Sequence, residues 1–358
     1  VRVALPRSTW ARAALLVPPL ALAAVLLWWR GPDWQTVYHA FDFVAWRWIV
    51  AALLLNLVSV TFRAVAWQAT IERALDPPRP RFPTVLTAFG IGLFANAVLP
   101  GRIGELARVA VLRRHVPHGR GTSATLVGTV VAHRLFDVVP ALLLVAYVLA
   151  TAKIPHWAVT SLVVVSVVGS GLFAFAIAGA RRRHRPVLDE VGPVRHLASM
   201  ARRGLSVMKT PVAAFAAVTF QCLGWLMQLF AVWAAMQAFD IDAPLPAAGL
   251  VLLLMNVATI FPLWPGNVGL LQAAVALPLV QYGVGYSTGF AYGIALQAIE
   301  MSVGVAAGLF SLAPEGISFA TLRDMPDARE SLPDDRVDVT IDEVPDDEPA
   351  RARAGVPG

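Results

Sequence analysis

The fold class that the sequence predicts is an all-α, polytopic integral membrane helix bundle. Three observations predict it. Apolar residues fill 57% of the 358 positions and charged residues only 15%, against about 45–50% and about 25% in typical soluble chains. Mean hydropathy is +0.64. Apolar stretches of membrane-crossing length recur along the chain, with arginines gathered between them. Together these argue against a soluble globular domain. The single cysteine, Cys222, excludes an intramolecular disulfide and any cysteine-built zinc or iron–sulfur site.

The first stretch, 13–29, closes on Trp28–Trp29 with no small-residue cleavage site after it, so it reads as a retained span. Trp46 and Trp48 open the second, 48–66, which places two indole pairs at one interface, where amphipathic rings settle. The third, 83–99, stops at the helix-breaking pair Pro100–Gly101. Uninterrupted runs at 123–151, 158–179 and 212–236 each reach spanning length. Stretches 246–262 and 268–284 flank Pro265–Gly266, and 288–312 closes the apolar body. Gly285, Gly289 and Gly293, four apart, form a small-residue face for helix packing. Residues 315–358 hold 12 acids, 5 arginines and five prolines, and are expected to form a disordered, acidic cytoplasmic tail after a membrane domain at 1–314.

Charge placement sets the expected topology. The body before the tail carries 24 bases and 11 acids. Arg2, Arg7 and Arg12 argue for a cytoplasmic N-terminus, and the segment with Arg63, Arg73, Arg79 and Arg81 reads as the next cytoplasmic loop. If every stretch crossed, the basic segments 100–121 and 181–209 would both lie outside, against the positive-inside rule. Both return to the cytoplasm if 83–99 enters, breaks at Pro100–Gly101 and comes back through 102–117 to the side it left. A second hairpin over 246–282, entering from outside, then returns the tail to the cytoplasm. Irregular backbone at that depth is tolerated only inside protein or beside water, so two hairpins imply a polar cavity.

An internal repeat supports the paired hairpins. Pro100-Gly-Arg-Ile-Gly104 and Pro265-Gly-Asn-Val-Gly269 are 165 residues apart, an offset that also matches Leu106/Leu271, Leu112/Leu277, Gly128/Gly293 and Val138/Val303. Three spans would separate the hairpins, which makes the repeats inverted. Paired Gly/Pro-broken segments in corresponding halves point to a transporter's binding site.

At Asn96-Ala-Val-Leu-Pro100-Gly101-Arg102-Ile-Gly104-Glu105-Leu-Ala-Arg108 the chain resembles the lysylphosphatidylglycerol synthase transmembrane, or flippase-like, family of bacterial and archaeal membrane proteins. That family's pattern is an Asn, a short gap, Pro-Gly-Arg-x-Gly-Glu and an Arg three residues on. Pro262-Leu-Trp-Pro265-Gly266-Asn267-Val-Gly269 resembles its later Pro-Gly-x-x-Gly, and Val131-Ala-His133-Arg134-Leu-Phe-Asp137 is similar to its Glu-Arg-x-x-Asp helix. The resemblance covers roughly residues 10–312. It departs at His133, where Glu is frequent, at Gln272, where an acid commonly follows, and at Glu300, near a frequent Arg. It implies the binding and translocation across the cell membrane of a membrane phospholipid or lipid-linked precursor. The full-length synthases carry a soluble aminoacyl-transfer domain after the membrane part. With 44 residues in that position here, their enzymatic activity is not expected to carry over.

Within the matched motif, Arg102, Glu105 and Arg108 make one helical stripe, and Gly101 and Gly104 leave backbone amides approachable at its start. Such a helix N-terminus favours an anion, and Arg102 is able to grip two phosphate oxygens, with Arg108 beside it. Glu105 then balances the charge or holds a headgroup amine. A kinked helix with snorkelling arginines is the structural alternative for the same residues. Arg134 and Asp137, three apart, and Glu300 lie deep in apolar stretches, where a charge needs a partner or a wet cavity. A helix-locking ion pair and a place in a substrate path or proton relay both fit them. Pro265, Gly266, Asn267 and Gly269 repeat the first hairpin without its charge.

Anionic headgroups are the expected partners of Arg181–Arg183, Arg185, Arg202 and Arg203. No aromatics interleave the bases, which argues against nucleic acid. No cofactor, metal site or ATP-binding loop is predicted, so movement of a lipid would be facilitated or ion-coupled. Two other readings stand beside this one. One is a membrane-embedded transferase with Glu105 or His133 as base, and the other a scaffold that works through its tail.

Overall fold

Two helices of nearly equal length, 29 and 28 residues, cross in the centre of the protein and organise everything else. A computed structural model describes residues 31–98, 103–117, 122–181, 211–260 and 267–315. The predicted span 13–29, the breaks at Pro100, Gly101 and Arg102 and at Pro265 and Gly266, the arginines 182–209 and most of the acidic tail lie outside these residues. In chain order the helices are α1 (Trp34–His39), α2 (Trp46–Ala74), α3 (Phe82–Val98), α4 (Gly104–Arg113), α5 (Thr122–Phe136) and α6 (Val138–Thr151). After them come α7 (His156–Arg181), α8 (Pro211–Ala238), α9 (Leu245–Ile260), α10 (Leu270–Leu279) and α11 (Tyr286–Glu315). The described residues contain no strand. Five runs among them are long and apolar enough to span a bilayer: Trp46–Ala74, Thr125–Thr151, His156–Ala174, Val212–Ala238 and Tyr286–Ser311. The protein is an all-α polytopic membrane bundle.

Helices α5 and α6 act as one span. Asp137 between them keeps helical dihedrals, and Pro140 removes only the hydrogen bond that would reach the Phe136 carbonyl. One expectation is corrected here. The second span does not stop at residue 66 with Arg63 in a loop; α2 continues to Ala74, because Arg63 finds its counter-charge inside the bundle.

The two hairpins form as expected. Helix α4 has 10 residues, about 15 Å at 1.5 Å per residue, half of a hydrocarbon core of about 30 Å. It packs antiparallel on α3. The Asn96 side chain accepts the Gly104 N–H at 2.9 Å, and a Cβ added at Gly104 would run into the Gly92 carbonyl. Val85 near the start of α3, Val111 and Leu112 near the end of α4, and Ile71 and Leu126 share one buried cluster. Both ends of this hairpin therefore sit at the same face of the bundle. The second pair, α9 and the 10-residue α10, packs in the same way.

The opposite face is tied together by three long-range bonds. Lys153 N–H donates to the Tyr282 hydroxyl (2.8 Å), Asp33 N–H to Ser287 Oγ (2.9 Å) and Ala45 N–H to the Ala238 carbonyl (2.9 Å). There α9 begins and α10 ends, so the second hairpin opens where the first does not. At this face Asp33 caps α1. Hydrogen bonds from the Thr36 hydroxyl and the Gln35 N–H hold its carboxyl below the usual carboxylate range.

Inversion is visible at the central pair. Along α2 and α8 the contacts run in opposite directions. Trp48 meets Trp233 with ring centres 5.8 Å apart, the Ser59 hydroxyl donates to the Gly224 carbonyl at 2.7 Å, and Phe62 lies 6.1 Å from Phe220. Ser59 and Gly224 are themselves 165 residues apart, the offset of the sequence repeat. Repeat-equivalent helices thus cross antiparallel at repeat-equivalent residues, which places a pseudo-two-fold axis at that point. The same offset takes α3 onto α9, α4 onto α10 and the α5–α6 span onto α11.

Replacing Gly104 by Ala forces α3 and α4 apart and is expected to cost about 1–3 kcal/mol of stability. Gly171, with open space around it, is the control, and its Ala variant should unfold at the wild-type temperature. Thermal unfolding in detergent separates the two.

Candidate functional site

Near the middle of the Thr125–Thr151 span, Asp137 is faced by donor groups from four other positions. Its Oδ1 accepts the Trp225 indole N–H at 2.8 Å and the Gln221 side-chain amide. Its Oδ2 accepts from Arg134 Nη1 at 3.3 Å, and Arg63 Nη2 of α2 stands 3.9 Å from Oδ1. Arg134 continues the chain. Its Nε donates to Glu105 at 2.9 Å and its Nη2 bonds the same carboxylate. Glu105 in turn pairs with Arg108, one turn along α4. The order is Arg63, Asp137, Arg134, Glu105, Arg108, with charge alternating at each step. Charges at this depth are tolerable because each one faces its opposite.

The last member is the most enclosed. Arg108 is 4% exposed and its guanidinium lies 4.8 Å from the Trp67 ring centre and 5.5 Å from that of Phe89. The electron-rich ring faces attract the cation and shield it from lipid. His133 packs edge-on to Phe89, 5.9 Å between ring centres, and is buried. The anion cradle anticipated at the start of α4 differs in two ways. Asn96 already occupies the Gly104 N–H, and Arg108 is buried behind Glu105 rather than presented to a headgroup. Arg102, Gly101 and Pro100 fall outside the described residues.

Between α4, α5 and α7 lies a groove of about 490 Å³, within the range of small-molecule sites. Leu106, Val109, Val127, Val130, Val131, Leu135 and Leu172 wall it, and Glu105 and Arg134 form its polar end. Leu106 and Leu172 are also exposed on the outer apolar flank, so the groove reaches that surface.

The second half repeats the geometry in neutral form. Gly269, equivalent to Gly104, donates its N–H to Gln272 Oε1 at 2.6 Å, and Gln272 Nε2 bonds Gln297 at 2.6 Å. Gly269 has φ 89° and Asn267 φ 44°, a tight turn suited to glycine. The Asn267 amide is used on the Ala258 carbonyl at 3.0 Å. Glu300 accepts from Gln228 Nε2 at 3.3 Å. Among the described residues no group of His, Cys, Asp and Glu converges as a metal set.

Four contributors were not anticipated: Arg63, Gln221, Trp225 and Gln228. A signal existed. Gln221, Trp225 and Gln228 recur at helical spacing on one face of an apolar helix, and the 165-residue offset, carried back to α2, aligns Arg63 with Gln228.

The family model of the lysylphosphatidylglycerol synthase TM region matches residues 15–308. The chain belongs to this family. A UPF0104 membrane protein of Pyrococcus horikoshii is 29% identical over 128 residues, 35% of this chain and 36% of that protein. The chain thus spans about a third of this curated relative's length. No solved structure matches the chain. Glu105, Arg108, Arg134 and Asp137 all lie in the matched region.

Asp137→Ala leaves Arg63 and Arg134 facing one another without a carboxylate, at an expected cost of about 3–5 kcal/mol. Glu105→Gln and Arg134→Gln combined should cost less than their separate costs added, since each alone strands the other's charge. Unfolding titrations of the reconstituted variants check both.

Proposed function

We propose that this protein binds a phosphate-bearing membrane lipid or lipid-linked precursor and moves it across the cell membrane. The observation that carries this reading is the apolar groove ending on the Glu105–Arg134 pair. Apolar walls suit a hydrocarbon chain, and the polar end offers a guanidinium that is half exposed and a carboxylate beside it. A phosphate fits the former by charge-assisted hydrogen bonds, and a headgroup amine fits the latter. The family's name attaches it to phospholipid chemistry. Inverted repeats with paired broken helices are the architecture on which secondary transporters place their substrate.

The orientation follows from charge. Arg73, Arg79, Arg81, Arg113 and Arg114 lie towards the face where the first hairpin opens, and Asp33, Asp42, Asp240 and Asp242 towards the other. The positive-inside rule makes the first face cytoplasmic. In a Cys222→Ala background, a membrane-impermeant thiol reagent applied to intact cells should label Asp242→Cys and leave Asp76→Cys untouched. The reverse pattern inverts the topology.

In proteoliposomes the purified protein should move fluorescent phospholipid between leaflets. Arg134→Ala is expected to slow this about ten- to hundredfold, as for the loss of one charge-assisted hydrogen bond. Leu106→Trp, which fills the groove, should slow it too, and Val164→Trp on the outer flank should not. Folded protein that moves no phospholipid or lipid-linked sugar sinks the reading.

A further inference from the structure

Three acidic side chains sit deep in the spans, and two of them are bracketed by arginines. Glu105 lies between Arg108 and Arg134, and Asp137 between Arg134 and Arg63. Glu300 differs. Its hydrogen-bond partner is the Gln228 amide at 3.3 Å, and no arginine among the described residues stands within ion-pair distance of it. Of the elements packed on α11, α3 and α10 contain no titratable residue at all. Helix α1 meets α11 far away, at Ser287 and Phe290. Helix α8 presents neutral Gln228, and α2 presents Arg63, the one charged group facing Glu300 electrostatically. Beyond it stand Asp137 and Arg134 of the α5–α6 span.

Arg63 is bound tightly to neither acid. Its Nη2 is 3.9 Å from Asp137, longer than a hydrogen bond. Its guanidinium carbon lies 5.6 Å from the Trp225 ring centre. Arg63 Nε, Gln221 Oε1 and Gln228 Oε1 are buried polar atoms without a protein partner. Buried polar atoms in native proteins are ordinarily satisfied, often by water; Gln221 is the residue bonded to Asp137 and Gln228 the one bonded to Glu300. Repeat symmetry sharpens the contrast, since Gln228 stands where Arg63 stands in the first half. One half carries a carboxylate beside arginines, the other a carboxylate beside an amide.

We propose that Glu300 is a reversible proton-binding site and that Arg63 is the arm it controls. With Glu300 protonated, Arg63 stays with Asp137. When the Glu300 carboxyl gives its proton to water, the carboxylate draws Arg63 towards α11, and Asp137 is left to Arg134, Gln221 and Trp225. Rebinding of a proton reverses the step. In a lipid-moving cycle, a use that rests on the function proposed above, this would couple movement to a proton gradient.

The site is testable without any lipid assay. Infrared difference spectra of the full chain in phosphatidylglycerol–phosphatidylcholine nanodiscs, recorded above about pH 6, follow buried carboxyls, because solvent-exposed acids are already ionised there. The expected result is a protonated-carboxyl band that disappears as pH rises, is absent in Glu300→Gln and persists in Glu105→Gln. Glu300→Asp should retain the band at a shifted frequency, which guards against a misfolded Gln variant. Arg63→Gln should move the midpoint of the transition. An identical band in Glu300→Gln, or no titrating band in folded wild type, overturns the proposal; so does a band that responds to sodium at fixed pH and not to protons. Because these readouts need no transport, they can fail while lipid movement holds, and the converse.

Discussion

A carboxylate in the middle of a bilayer has to be surrounded by donors, and meeting that requirement at Asp137 draws three spans together. Arg63 comes from α2, Arg134 from its own helix, and Gln221 and Trp225 from α8. Neither arginine is stable at that depth alone. The central α2–α8 crossing is what makes the requirement satisfiable, because it presents two polar faces to the same point. Once Asp137 is held, Arg134 is aimed at Glu105, and Glu105 at Arg108. The chain of charges therefore fixes where the first hairpin sits against α5.

The hairpins depend on the same logic at smaller scale. A helix of ten residues ends inside the hydrocarbon region, where an unpaired backbone amide is costly. Both halves answer with a side-chain amide on a glycine N–H, Asn96 on Gly104 and Gln272 on Gly269. The amide comes from the preceding helix in one case and from the same helix in the other, so the repeat conserves the solution and not the residue. Around these shared supports the halves diverge in charge. The first holds the arginines and two of the acids; the second holds glutamines, asparagines and Glu300.

That divergence explains which parts of the site were readable in the chain. Arg134 and Asp137 were identifiable because charge stands out in a long apolar run. Their pairing followed from i,i+3 spacing. Arg63 was assigned to a loop, since an arginine near the end of an apolar stretch ordinarily marks a membrane boundary. Only a partner on a distant helix makes it an interior residue. Trp225 and Gln221 carry no local signal of their role for the same reason, as that role is defined by a carboxylate more than eighty positions away in sequence.

Composition and the spacing of apolar stretches determined by themselves that this is a helical membrane protein with several spans, and the sequence repeat that it is built from related halves. Those properties are local, or repeat locally, because lipid obliges each span to satisfy its own backbone. The tertiary structure alone decided that α2 and α8 cross antiparallel at equivalent residues, that Asn96 rather than a ligand takes the Gly104 amide, and that Arg108 is enclosed between Trp67 and Phe89. It also left Glu300 without an arginine at ion-pair distance among the described residues while enclosing Glu105 and Asp137 among arginines. Distances between charges on different helices belong to packing, and packing joins residues that the sequence keeps far apart.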